Sequence, residues 1–185
     1  MANDHEQVRL QQARAFNQNT LAAIYDDYYQ PIYRYIYRQV SDVETARDLT
    51  AEVFHRFLKA LKKNKGPDQN LQAWLYRTAT NCVVDHYRRQ QHRQHLSLNE
   101  DLVDTCDNPE TMAENHISAE TVRAALHHLT PDQQQVIILK FLEGLSNQET
   151  ADILDKPVGA VKSLQHRALA ALQRRLQAMQ EKVSK

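Results

Sequence analysis

Lys162, Ser163, His166 and Arg167 lie within six residues, at spacings that place them on one side of a helix. Lys162 and Arg167 can reach guanine edges or phosphates, and Ser163 can donate to either. A second group lies upstream. Arg77, Asn81, Arg88 and Arg89 are interleaved with Trp74, Tyr76 and Tyr87. Aromatic rings stack on exposed bases and guanidinium groups hold phosphates, a chemistry suited to one unpaired strand. Trp74 also fits a place in the core, and any single basic stretch also fits a solvated helix face. Neither group makes or breaks a covalent bond. The nine histidines do not cluster at ligand spacing with acids or cysteines, and Cys82 and Cys106 form no metal or disulfide pattern. No catalytic residue, metal or cofactor is therefore expected.

Net charge is zero, with 23 basic and 23 acidic residues, but the charges are sorted along the chain. Residues 71–95 carry four basic groups and one acidic. Residues 96–132 carry eight acidic groups and one basic, and residues 156–185 carry seven basic groups and one acidic. Two positive zones in one chain favour contact with a polyanion. The acidic stretch between them would be repelled by it, so it passes beside the polyanion rather than over it.

The elements that must carry these groups are helices. Only three glycines and five prolines occur, too few for sandwiches, barrels or glycine-rich nucleotide loops. Leu21, Ile24, Tyr25 and Tyr28, then Ile32, Tyr35, Ile36 and Val40, recur at helical spacing, with a break or kink expected at Pro31. Six tyrosines between Tyr25 and Tyr37 are read as bundle packing with surface hydroxyls. Ser41 with Glu44 reads as a capping box for a helix bearing Val43, Ala46, Leu49, Val53, Phe54, Phe57, Leu58 and Leu61. Gly66-Pro67 ends it, and the next helix runs from Leu71 into the basic stretch. After an aperiodic, acidic segment, Ser118 can cap a helix bearing Val122, Ala125, Leu126 and Leu129. Thr130-Pro131-Asp132-Gln133 is a second start signal, and Gly144 a stop. Ser146-Asn147-Gln148-Glu149 opens a short helix to Leu154, and a turn leads into a long basic one. That last pair reads as a helix-turn-helix, with Leu145, Ala151, Ile153 and Leu154 as the core of its bracing helix.

The fold class is all-α, as two small helical bundles joined by a flexible acidic linker. At ~150 residues per domain two small domains are allowed. The expected division is a polar N-terminal extension (1–18), a first helical domain (19–95), a linker (96–116) and a helix-turn-helix domain (117–185). The linker is too long for a structureless loop within one compact domain. No apolar run approaches the ~20 residues of a membrane span. The start lacks a basic patch followed by an apolar stretch, so no signal peptide is read and the cytosol is the expected compartment.

Three stretches now resemble the extracytoplasmic-function (ECF) sigma factors of bacterial RNA polymerase. They are Asp42 to Phe54, then Ala73 to Asn81 with Asp85-His86-Tyr87-Arg88-Arg89, then Leu129 to Arg167. The resemblance implies a specificity subunit with no bond chemistry of its own, recognising −35 and −10 promoter elements and melting DNA. Asp48 and Glu52 would face a coiled coil of the polymerase largest subunit, and the second domain its flap. The loop Lys65 to Asn70 sits where the family captures a flipped base, and Asp68, Gln69 and Asn70 can supply donors and acceptors to a base edge. Arg77, Asn81, Arg88 and Arg89 would hold the strand. Lys162, Ser163, His166 and Arg167 would face the −35 major groove. An anti-sigma factor is a further partner that the resemblance suggests.

Thr45 and Arg47 depart from the pattern, standing where the family commonly carries acids. Either the polymerase surface differs or negative charge is restored, for which phosphorylation of Thr45 or Thr50 is one route. The competing function is a helix-turn-helix regulator acting without polymerase. It leaves the aromatic, arginine-bearing helix and the long acidic linker without a role.

Overall fold

The structure is a computed structural model that describes residues 2–96 and 124–183, and every described element is helical. The elements are α1 (Ala2–Arg14), α2 (Gln18–Val40), α3 (Val43–Lys62), α4 (Leu71–Leu96), α5 (Pro131–Ile137), α6 (Asn147–Leu154) and α7 (Val158–Val183). Residues 124–127 add a helical turn before α5, and a π-helical stretch, Ile138–Leu142, follows it. The expected linker beyond Leu96, together with Ser118 and Val122, lies outside the described residues.

Local chemistry sets most boundaries. Thr130 and Gln133 cap each other at the start of α5, with Pro131 in the first turn. Ser146 and Glu149 do the same for α6. Gly144 takes φ +73, a left-handed conformation that halts the preceding helix at little steric cost. A Cβ on Gly66 would lie 2.8 Å from Leu61 Cδ2, so any larger residue there requires the Leu61 side chain to shift.

Two boundary expectations are corrected. Ser41 does not open α3. It closes α2 in a left-handed conformation, and Asp42 is the N-cap, its Oδ2 accepting from Thr45 N–H at 2.7 Å. Glu44 pairs with Arg47 instead of reaching back. Pro31 does not interrupt α2, which runs through it. An interior proline costs about 3 kcal/mol, but Ile24 on one side and Ile32, Tyr35 and Ile36 on the other are fully buried on one face. Burying such side chains contributes ~1.5–3 kcal/mol each, which outweighs that cost.

The N-terminal extension is a packed helix. Leu10 and Ala13 of α1 are buried in the same core as Ile24, Ile36, Phe57, Leu61 and Leu75. Val43, Leu58 and Tyr25, expected inside, remain on the surface. The second half has small cores of its own. Leu126, Leu129, Ile137 and Ala168 form one, and Val136, Ala151 and Val161 another.

The two halves also meet. Ile138, Leu139, Leu145 and Ile153 enter the core built by α1 to α4. Leu145 and Ile153, read as the inner core of the bracing helix, therefore serve the interface between halves. The Glu143 carboxylate, only 5% exposed, pairs with Arg38 of α2 and accepts from the Tyr76 hydroxyl at 3.1 Å.

Candidate nucleic-acid interface

The long basic helix comes first. Val161 and Ala168 of α7 are fully buried, and their spacing turns Lys162, Ser163, His166 and Arg167 outward. All four are exposed, and Lys162 makes no ion pair among the described residues. Arg167 Nε donates to the Ser163 carbonyl at 3.3 Å, which leaves its terminal nitrogens available. The Asp155 turn, left-handed at φ +54, sets the angle between α6 and α7. A convex helix with four polar groups on its outer face matches what a major groove admits.

On α4, Arg77, Asn81 and Arg88 fall at i, i+4 and i+11, all exposed along one stripe with Val84. Arg88 pairs with Asp85 at 3.3 Å, and Arg89 Nε donates to the Asp85 carbonyl at 3.2 Å. Both stay on the surface, within one helical turn of their partners. Arg77 differs. It donates to the carbonyls of Asp152 and Ile153 at the end of α6, and its guanidinium lies 3.7 Å from Asp155. A guanidinium is well suited to a helix C-terminus, where carbonyls lack partners and the dipole is negative. One end of the stripe is thereby covered by the helix-turn-helix. Trp74 packs on Phe57 with ring centroids 5.7 Å apart and takes the core role.

The loop after α3 places Asp68 and Gln69 outward and Asn70 half-buried. Asn70 Oδ1 accepts from Ala73 N–H at 2.9 Å and so caps α4. Asp68 pairs with Arg14 of α1, a residue the sequence reading passed over. Its helical signal was legible in Glu6, Leu10 and Ala13 at i, i+4 and i+7.

On α3, Asp48 is exposed with no partner among the described residues. Glu52 is engaged by Arg56 at 2.7 Å, and that hydrogen bond holds its carboxyl below the ordinary range. Arg47 is tied to Glu44 at 2.8 Å, so its charge is locally compensated. Thr50 is fully buried and donates to the Ala46 carbonyl at 2.6 Å, which removes it as a phosphorylation site. Tyr25, Tyr29, Tyr33 and Tyr37 stack in succession along α2, with centroids 5.1, 6.3 and 6.0 Å apart. Tyr35 instead faces inward, its hydroxyl 2.7 Å from Thr80 Oγ1, and burial raises it to about 12.

Comparison with known proteins identifies the family. Residues 24–93 match the model for sigma-70 region 2, and residues 119–172 that for sigma-70 region 4. The chain is 35% identical over 169 residues to the ECF RNA polymerase sigma factor BldN of Streptomyces coelicolor, covering 90% of this chain and 64% of that protein. It is 33% identical over 172 residues to the ECF RNA polymerase sigma factor SigX of Bacillus subtilis, covering 90% of this chain and 88% of that one. Among solved structures, CnrH in complex with the cytosolic domain of CnrY has a similar fold, with a TM-score of 0.72 at 22% identity over 94% of this chain and 97% of that one. So does the sigma factor RpoE in complex with the anti-sigma factor NepR from Bartonella quintana, with a TM-score of 0.70 at 21% identity over 84% and 96%.

Proposed function

The chain belongs to the ECF sigma factors of bacterial RNA polymerase, and from that premise we propose how its exposed groups divide the task of promoter opening. It is an alternative sigma factor for transcription initiation. In our reading it acts by binding alone and performs no bond chemistry. Residues 19–95 form the domain that meets core polymerase and the −10 element, and residues 117–185 the domain that meets the −35 element.

Lys162, Ser163, His166 and Arg167 enter the −35 major groove. Asp48 and Glu52 meet a basic surface of the polymerase, Asp48 with the freer carboxylate. Arg88, Arg89 and Asn81 hold the opened strand, and the loop around Asp68, Gln69 and Asn70 reads one extruded base. Extrusion costs a few kcal/mol, which the loop and backbone contacts must offset. Arg77 spends its Nε and one terminal nitrogen on the end of α6, so it offers the strand only its remaining terminal nitrogen until α6 moves off it. By analogy with the solved neighbours, an anti-sigma protein is a further partner.

The observation that carries this reading is the pairing of two exposed polar stripes, on α4 and α7, with Asp48 on α3, an acid that has no partner among the described residues. The test adds the purified chain to core RNA polymerase with a promoter library and scores promoter-dependent initiation. Initiation is the expected result. Duplex binding by the chain alone, without initiation in the presence of core polymerase, would favour a simple helix-turn-helix regulator.

A further inference from the structure

We propose that α1 is part of the strand-reading apparatus: it pins the loop between α3 and α4 and supplies one wall of a cleft that receives a nucleobase. The inference rests on the reading that this loop captures a base, and adds a helix that lies before the residues matched to sigma-70 region 2.

The loop is irregular from residue 63 to 70. A segment without ladder hydrogen bonds samples many conformations unless something outside it holds it. Here α1 holds it at two points. The Arg14 guanidinium donates to the Pro67 carbonyl at 3.0 Å and pairs with the Asp68 carboxylate. The Glu6 carboxylate accepts from Leu71 N–H at 2.9 Å, where the loop becomes α4. Leu10 and Ala13 anchor α1 in the core between these two contacts, so the clamp is fixed to the body.

Between α1 and the loop lies a cleft of about 640 Å³, lined by His5, Glu6, Tyr28, Gln69, Asn70 and Gln72 among others. Gln69 and Gln72 make no hydrogen bond among the described residues, and Asn70 has committed only its oxygen. Free amides offer donors and acceptors together, which is what a base edge requires, and Tyr28 offers a ring face. Glu149 of α6 bounds the cleft as well, but its carboxylate is engaged by Ser146. The walls made by α1 and the loop are joined to each other by the Arg14 and Glu6 contacts, none of which involves α6.

Arg14 and Glu6 are thus positioning residues. Holoenzyme built from the full chain and core polymerase is incubated with a randomised single-stranded DNA library and, separately, a randomised duplex library, and the retained DNA is sequenced. The parent should enrich one base at one single-strand position and a distinct duplex motif. Arg14→Gln should lower the single-strand preference about two- to five-fold, the scale of a partly exposed ion pair, and leave the duplex motif intact. Glu6→Gln should act in the same direction. A parent with no single-strand preference would defeat the loop reading itself. A discriminating parent whose two variants discriminate equally well would defeat only the role of α1. Joint loss of both preferences would mark a general structural role and overturn the proposal as well.

Discussion

Arg77, Arg88 and Arg89 share a helix and a charge, but their surroundings separate them. Arg77 closes the C-terminus of α6, whereas among the described residues Arg88 and Arg89 bond only to Asp85, within a turn. The proposed roles at this scale differ in their expected signatures. Arg167→Ala should relax selectivity at one −35 position at a cost of about 1–3 kcal/mol, read by competition among duplex variants. Equal affinity of variant and parent for a matched promoter would count against it. Arg88→Ala should instead weaken single-strand binding uniformly across sequences and flatten the salt dependence by roughly 0.7 in slope, one phosphate's share. A sequence-selective loss would assign Arg88 to base reading. These candidates were legible as residue types. Their availability was not, because the partners of Arg77 and Asp68 come from segments 75 and 54 residues away.

At the scale of the helix, the capping boxes were readable because each is a contact over three residues. Ser146 holds the Glu149 carboxyl below its ordinary value of 4.5 in the folded chain by hydrogen bonding. A carboxyl depressed on folding contributes stability above its unfolded value and loses it as pH falls through the folded one. Glu149→Gln should therefore lower stability by about 0.3–1 kcal/mol at pH 7, and the gap to the parent should close below the ordinary carboxylate range. Urea titrations from pH 7 down to the acid limb check this, and a gap that held constant would show that the charge is irrelevant to the cap. Pro31 and Ser41 misled for the opposite reason. Burial of the flanking face of α2 carries the chain through Pro31, and Ser41 is taken up in the left-handed turn that closes α2, which leaves Asp42 to accept from Thr45 N–H as the N-cap.

For the molecule as a whole, Glu143 is a polar link between the two halves. It is nearly buried between the halves, with Arg38 and the Tyr76 hydroxyl as partners. Such a pair adds little net stability, but removing one member leaves the others unsatisfied. Glu143→Ala should lower the urea midpoint by an amount equivalent to about 1–3 kcal/mol. It should also enlarge the radius of gyration in solution scattering as α5 to α7 separate from α1 to α4. Unchanged dimensions together with unchanged stability would show that the pair does not join the halves. Phe141 and Leu142, exposed beside it in the π-helical stretch, show that this segment follows no simple helical period.

Helical content, the basic and acidic zones, two of the capping boxes and the outward face of α7 could all be read from residue order, because each depends on neighbours within about one or two turns. The packing of α1, the contact of Arg77 with the end of α6 and the sharing of Ile138, Leu139, Leu145 and Ile153 between halves could not. Those contacts join segments far apart in the chain, where apolar surface is buried without direction or sequence period. Only the assembled fold selects which of many similar apolar faces meet.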